Sequence, residues 1–167
     1  SDGTLIVYRE LYQKNLTGVD LAQLITQMEL QDPFSVGGVL DTAAWNRTGT
    51  TGPTVGETLV RAGHKLRRAD KNRIQGKIQI HEYLKVQQSG RPRLQIFNTC
   101  PNLIRELQSI PLDRSNPEDV DTHAPDHAYD ALRYLIMSRP RIQDSFSRIR
   151  NLHLEQAYTP ADSEFGY

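Results

Sequence analysis

Strand-like and helix-like segments alternate along this chain, and this alternation constrains the fold more than any other feature of the sequence. Segments rich in β-formers are followed in turn by segments with apolar residues at helical spacing. Strands are predicted at residues 4–11, in the apolar stretch that ends at Asp41, in "HKLRR" and in "RLQIF". Helices are predicted at 17–30, 54–63, 71–86, 101–110 and 125–138. This order predicts an α/β domain with parallel strands joined by right-handed crossovers.

Local signals mark where several of these helices begin. Thr17 with Asp20, and Thr54 with Glu57, have the spacing of capping boxes, in which the two side chains satisfy backbone amides of the first turn. Asp70 is predicted as the N-cap of the helix that follows it.

Composition excludes several classes of protein and favours none. The 167 residues carry 20 Lys and Arg against 20 Asp and Glu, so net charge does not indicate a nucleic-acid partner. The single cysteine, Cys100, rules out a disulfide framework or a cysteine-based zinc site within one chain. No apolar run approaches the ~20 residues that span a bilayer, and no signal peptide opens the chain. These features predict a cytoplasmic protein without membrane partners.

Asp41 is the first candidate functional residue. It stands at the carboxyl end of an apolar strand and directly before a loop rich in Gly and Thr. Ligands of open α/β sheets bind beyond the carboxyl ends of strands, so a carboxylate here is well placed to face a crevice. The alternative is a structural role, in which Asp41 accepts hydrogen bonds from loop amides in an Asx turn.

The stretch "THAPDHAYDALRY" supplies the second group of candidates. In the predicted helix, Asp126 and Asp130 lie one turn apart, and His127 and Asp130 are neighbours at i and i+3. A divalent cation such as Mg²⁺, which prefers carboxylate oxygens, would relieve the repulsion between the two acids. The alternative is that the acids only complement the positive end of the helix dipole.

A local excess of basic residues is the third feature. Seven lie within fourteen positions, interrupted by a single acid, Asp70. They are His64, Lys65, Arg67, Arg68, Lys71, Arg73 and Lys77. We call this set, with Arg47, the basic strip. It is either a solvated surface or a surface that contacts phosphates without reading base sequence.

Three segments together resemble the nuclease domain of the large terminase subunit of tailed bacteriophages. They are "DGTLIVYRELY", the segment that runs from "GGVLDTAAWNRTGTTGPT" to "ADKNRIQGKIQIHEYL", and "DHAYDALRY". The similarity covers residues 2–138. It implies an RNase H-like fold, with a mixed sheet flanked by helices, and a metal-dependent endonuclease that cuts concatemeric double-stranded DNA during genome packaging.

The resemblance also ranks the candidate residues. Asp41 matches the second acidic motif of the family and Asp130 the third, with His127 in the matching histidine position and Asp126 just before it. Asp41, Asp130 and Asp126 would hold two Mg²⁺ or Mn²⁺ ions, and the catalytic residues of a two-metal hydrolysis of DNA would be Asp41, Asp130 and His127. His127 would be a ligand, or it would orient a water molecule or the scissile phosphate. Arg47 and the rest of the basic strip would contact the DNA backbone.

One expected ligand is not among the 167 residues. The family's first aspartate lies on a strand that precedes "DGTLIVYREL", and Asp2-Gly3 is a hairpin signal that predicts such a strand. We therefore expect the natural protein to continue upstream, toward a packaging ATPase domain, and this chain by itself to be inactive or nearly so.

The resulting domain prediction is a nuclease domain at residues 1–140 and a partly flexible tail at 141–167. The portal protein and the small terminase subunit are expected as further partners, in the cytoplasm of the infected bacterium. Two alternatives stay open. One is another RNase H-like nuclease, such as a junction resolvase or a transposase core. The other is a non-catalytic module that clamps DNA or docks another packaging component.

Overall fold

The alternation of strands and helices is present in the structure, a computed structural model that describes residues 3–33, 37–47, 52–121 and 123–139. In chain order the elements are β1 (Leu5–Val7), α1 (Gly18–Glu29), β2 (Gly37–Leu40), a 3₁₀ turn (Thr42–Trp45), α2 (Val55–Arg61), β3 (Lys65–Arg68), α3 (Arg73–Leu84), β4 (Leu94–Ile96), α4 (Pro101–Ser109) and α5 (His127–Met137). The α/β class predicted from the sequence is confirmed.

The strands pair in parallel, as predicted, but in two separate sheets. β1 pairs with β4, with Leu5 opposite Leu94, and β2 pairs with β3, with Leu40 opposite Arg68. Within the described residues, each sheet has two strands, so the single mixed sheet of the prediction is not what this part of the chain forms.

The first strand is shorter than predicted. The prediction of residues 4–11 was wrong at its C-terminal end, because the strand ends at Val7. Beyond it, the Glu10 carboxylate turns toward α4, where it accepts hydrogen bonds from the backbone amides of Asn102 (2.9 Å) and Leu103 (3.0 Å). These are unpaired amides of the first turn of α4, so the side chain caps a distant helix instead of continuing a ladder.

The largest buried cluster lies between the β1–β4 sheet and helices α3, α4 and α5. Its members are apolar or aromatic side chains and the one cysteine: Leu5, Ile80, Tyr83, Leu94, Cys100, Leu103, Val120, Tyr129, Leu132 and Ile136. α5 contributes an apolar stripe to this cluster, since Leu132 and Ile136 are buried, and Ala128 and Leu135 pack against it.

Both predicted capping boxes are present, whereas the prediction for Asp70 was wrong by two residues. The side chains of Thr17 and Thr54 each accept a hydrogen bond from the third amide of their helix. α3 begins at Arg73, and its N-cap is Asn72, whose side chain accepts a hydrogen bond from Gln75. Asp70 instead accepts from the Asn72 amide (2.9 Å), in the Asx turn that leads into the cap.

α5 begins two residues later than predicted, at His127, and Asp126 is its N-cap residue. The Asp126 side chain makes no capping hydrogen bond. The amides of Ala128 and Tyr129 instead donate to the carboxylate of Glu106 (2.7 and 3.0 Å), a residue of α4 that is 1 % exposed. The N-terminus of α5 is therefore held by another helix.

Some predictions fall outside the described residues, namely those for Asp2 and for the tail at 141–167. Among the residues that are described, no helix has the length and apolar character needed to cross a membrane.

Candidate functional site

Tyr134 joins two of the three carboxylates that were predicted as site residues. Its hydroxyl group donates to Asp41 Oδ2 at 2.6 Å and lies 3.3 Å from Asp130 Oδ2. Asp41 follows β2, whereas Asp130 is in the first turn of α5. The contact between α5 and β2 therefore brings two distant parts of the sequence to one hydroxyl group.

Asp41 has the Asx-turn role that was the alternative for this residue, and it has further partners. Its Oδ1 accepts from the Ala43 amide (2.7 Å) and lies 3.2 Å from the Lys71 ammonium group. Burial opposes ionisation of Asp41, but the hydrogen bonds from Ala43, Tyr134 and Lys71 outweigh it and lower its pKa to about 2. Asp41 is therefore a carboxylate at any physiological pH.

Asp130 is held mainly by the arginine one turn further along α5. Arg133 Nε and Nη2 lie 3.0 and 2.9 Å from Asp130 Oδ1. Arg133 is 1 % exposed, and its aliphatic part crosses α3 at Gly76, where an added Cβ would come within 2.4 Å of Arg133 Cγ. A residue without a side chain is needed there, because any Cβ would displace the arginine that positions Asp130.

Arg73 lies within ion-pair distance of two acids. Its Nε is 2.8 Å from Asp119 Oδ2, and its Nη1 is 4.0 Å from Asp130 Oδ2. Although burial opposes it, the negative charges of Asp119, Asp130 and Asp126 raise the pKa of Arg73. The guanidinium group thus links the N-terminus of α5 to the loop that precedes it.

Asp126 and His127 stand beside these residues but in different environments. The Asp126 side chain is 15 % exposed, and burial, followed by the nearby charge of Asp130, raises its pKa. The His127 side chain is 77 % exposed, and its Nδ1 lies 3.8 Å from Asp126 Oδ1. His127 is therefore at the solvent-facing rim, with Asp126 between it and the interior.

The donor set suits a hard divalent cation in its chemistry, since Asp41, Asp126 and Asp130 offer carboxylate oxygens. The arrangement is nevertheless closed by the protein's own groups, because Lys71 contacts Asp41, and Arg133 contacts Asp130. No group of three or more His, Cys, Asp or Glu residues with the geometry of a metal site occurs in the part of the chain that the structure describes.

The basic strip divides into an exposed part and a part bound within the protein. Arg47, Lys65, Arg67 and Arg68 are exposed, and Arg68 lies over the ring of Trp45 at 5.1 Å.

The remaining four members have partners inside the molecule. Lys71 contacts Asp41, and Arg73 contacts Asp119. Lys77 Nζ donates to the Pro117 carbonyl (3.1 Å), and His64 is buried, with Nδ1 3.2 Å from Glu29 Oε2. Arg47, Lys65, Arg67 and Arg68 can meet a large polyanion without breaking a hydrogen bond or an ion pair found in the described residues, whereas Lys71, which is also exposed, would have to leave Asp41.

Sequence reasoning missed the residues that hold the candidate carboxylates. Tyr134 is buried in α5, and its hydroxyl group contacts both Asp41 and Asp130. Helical spacing was the available signal, because Arg133 and Tyr134 follow Asp130 at i+3 and i+4. No sequence signal pointed to Asp119 or Glu106, since their partners come from other elements.

Comparisons of the chain with protein-family models, with curated proteins and with solved structures found no match. The resemblance to the terminase nuclease domain therefore stays a prediction from the sequence motifs.

Proposed function

We propose that this chain carries part of the active site of a metal-dependent endonuclease, with the RNase H-like fold of a phage terminase nuclease domain. Its substrate would be the phosphodiester backbone of concatemeric double-stranded DNA. The observation that supports this most directly is the meeting of Asp41 and Asp130 at the Tyr134 hydroxyl group. Two carboxylates from different elements converge, as a shared pair of metal ligands must.

In this proposal Asp41 and Asp130 hold Mg²⁺ or Mn²⁺, and Asp126 supports the site as a further acid beside Asp130. Bound divalent ions would lower the pKa of an attacking water and stabilise the leaving 3′ oxygen. Tyr134 holds the two carboxylates in register by contacting both. His127, exposed at the rim, is placed to orient a water molecule or the scissile phosphate.

The exposed members of the basic strip would hold the DNA. Lys65, Arg67 and Arg68 lie on β3, next to β2, which leads into Asp41. Their cationic groups would neutralise backbone phosphates, which carry no base information, so cutting would be largely independent of sequence.

Cleavage by the intact natural protein tests the proposal. With Mn²⁺ or Mg²⁺, the protein is expected to nick supercoiled plasmid, and Asp41→Ala or Asp130→Ala is expected to abolish nicking. Glu82→Ala, a change at an exposed acid near the C-terminal end of α3, is the control and should leave nicking unchanged. Undiminished nicking by both aspartate variants would end this assignment.

The DNA surface has a separate test. Arg67→Ala is expected to weaken duplex binding similarly for all sequences and to reduce the slope of log affinity against log salt by about 1. Fluorescence anisotropy with a duplex oligonucleotide at several salt concentrations measures both. An unchanged slope would remove Arg67 from the proposed DNA surface.

A second function is favoured by one observation. Asp41 and Asp130 are each already paired with a cationic side chain of the protein, Lys71 and Arg133. Such pairing suits a module that clamps DNA or docks another packaging component without cutting. Titration with Mn²⁺, monitored through the NMR signals of Asp41 and Asp130, distinguishes the nuclease from the non-catalytic module. If the protein is only a clamp or a docking module, Mn²⁺ should leave these signals unbroadened.

A further inference from the structure

The contact between Lys71 and Asp41 lies at the proposed metal site but has no role in the mechanism above. Lys71 is two residues before the start of α3, and its ammonium group lies 3.2 Å from Asp41 Oδ1. Both side chains are partly exposed, at 49 % and 35 %. The lysine can therefore leave the carboxylate without disturbing the core.

Asp41 has little room for an additional cation while Lys71 is bound. One oxygen accepts from the Tyr134 hydroxyl group, and the other accepts from the Ala43 amide and contacts Lys71. The Tyr134 and Ala43 hydrogen bonds come from neutral groups and can coexist with a bound cation. Lys71 cannot coexist so easily, because its positive charge repels a divalent ion at close range.

A displaced Lys71 would lie near other exposed cationic side chains. The exposed cationic groups of Lys65, Arg67 and Arg68 lie on β3, and the chain runs from β3 through Ala69 and Asp70 to Lys71. A lysine released from Asp41 stays within a few residues of these groups, so phosphates of a polyanion bound there would be its next partner.

We propose that Lys71 and a divalent cation compete for Asp41, and that the cation, by displacing Lys71, frees its ammonium group to contact a DNA phosphate. Metal binding and DNA binding would then strengthen each other, because coupling between two ligands is reciprocal. The inference rests on the proposed function, since it assigns a regulation to the same site.

The first experiment measures Mn²⁺ affinity directly. Calorimetric titration of the 167-residue chain is expected to give about fivefold tighter Mn²⁺ binding for Lys71→Met than for the wild-type protein at low salt, because one repelling charge is gone. Lys71→Arg keeps the charge and should bind like the wild type. The difference in Mn²⁺ affinity between the wild type and Lys71→Met should be smaller at high salt, because screening weakens the repulsion between Lys71 and the ion.

Two controls accompany this titration. Lys85→Met removes another exposed lysine, one that is paired with Glu82, and should leave Mn²⁺ affinity unchanged. Asp41→Asn should weaken Mn²⁺ binding in both the wild-type and the Lys71→Met background.

The second experiment measures the coupling to DNA. Ca²⁺, used as a probe cation in place of Mn²⁺, is expected to tighten duplex binding by the wild-type protein and to have a clearly smaller effect on Lys71→Met. If Ca²⁺ tightened duplex binding equally for the wild-type protein and Lys71→Met, the proposal that displaced Lys71 contacts a DNA phosphate would be overturned.

The outcomes separate this inference from the proposed function. Equal Mn²⁺ dissociation constants for the wild type and Lys71→Met, both weakened by Asp41→Asn, would overturn the competition and leave the metal site standing. If neither protein binds Mn²⁺, the competition for Asp41 is overturned, and the nicking experiment described under the proposed function decides that function separately.

Discussion

At the scale of single residues, the Tyr134 hydroxyl group connects the two carboxylates of the candidate site. It is buried, and burial together with its acceptor Asp41 raises the pKa of Tyr134 above its usual range. The group is therefore a protonated donor at neutral pH, which is the form that two carboxylates need. The hydroxyl group thereby links Asp41, the residue after β2, to Asp130 in the first turn of α5.

Replacement of Tyr134 by Phe is expected to lower the free energy of unfolding by about 1–2 kcal/mol at neutral pH, because Asp41 loses a charge-assisted hydrogen bond. Urea denaturation measures this loss. Tyr129→Phe is the matched control, since the buried Tyr129 hydroxyl group has no hydrogen-bond partner among the described residues and its removal should cost nothing.

The same variant has a pH signature. The pKa of Asp41 is lowered from 3.8 to about 2, so its contribution to stability is complete above about pH 3.8 and is lost as the pH falls toward 2. In Tyr134→Phe the pKa of Asp41 should rise toward its ordinary value, which NMR titration detects. The stability difference between wild type and variant should therefore shrink on acidification; a constant difference would contradict the prediction.

Gly76 provides a second prediction at this scale. Gly76→Ala is expected to destabilise the protein by about 1–3 kcal/mol, because the new methyl group collides with buried Arg133. Gly18→Ala in α1 is the control, since its Cβ would meet Thr58 at an ordinary 3.5 Å and alanine favours helix. Thermal unfolding compares the two variants. Equal stability of Gly76→Ala and Gly18→Ala would mean that Arg133 can move away from α3 at no cost in stability.

At the scale of secondary-structure elements, the N-termini of α4 and α5 are held by side chains from other parts of the chain. Glu10 satisfies the first amides of α4, and Glu106 those of α5. Acids at helix N-termini also complement the helix dipole. The second contact matters for the site, since it fixes the turn of α5 that carries Asp130.

Glu106→Ala is expected to destabilise the protein by about 2 kcal/mol, through loss of two hydrogen bonds to the N-terminus of α5. The specific readout is faster hydrogen exchange at the amides of Ala128 and Tyr129. Glu106→Gln keeps an acceptor oxygen and should retain part of the protection. Unchanged exchange at both amides in Glu106→Ala would show that this cap is dispensable.

Element boundaries also show what local sequence can predict. The capping boxes at Thr17 and Thr54 were predictable, because each is complete within four residues. The end of β1 was not, because the chain leaves the strand to bring Glu10 to α4, almost a hundred residues later. Asp70 was misplaced because two cap-forming residues, Asp70 and Asn72, lie close together and both accept backbone hydrogen bonds.

At the scale of the whole molecule, the largest apolar cluster belongs to only part of the structure. It joins β1, β4, α3, α4 and α5, whereas α1, α2, β2 and β3 contribute no member. α1 is connected to the turn before β3 by buried His64, whose Nε2 lies 3.2 Å from the Ala22 carbonyl. α1 also packs against α2, and this pair of helices lies outside the main apolar cluster.

Native-state hydrogen exchange should therefore show two levels of protection. Amides of α3 and α5 are expected to exchange only by global unfolding, and amides of α1 through a smaller opening of lower free energy. His64→Phe should accelerate exchange in α1 while leaving α3 nearly unchanged. Uniform protection across all five helices would indicate a single cooperative unit.

The sequence by itself determined the α/β class, the parallel direction of the strands and the capping boxes, and it identified four candidate site residues, Asp41, Asp126, His127 and Asp130. These follow from periodicity and from short-range chemistry, both of which act within a few residues. Only the tertiary structure decided that Tyr134 joins these carboxylates, that Lys71 and Arg133 neutralise them, and that the strands form two sheets. The reason is physical, because each of these arrangements depends on how separate elements pack together. The local sequence pattern of one element does not specify which other element it contacts.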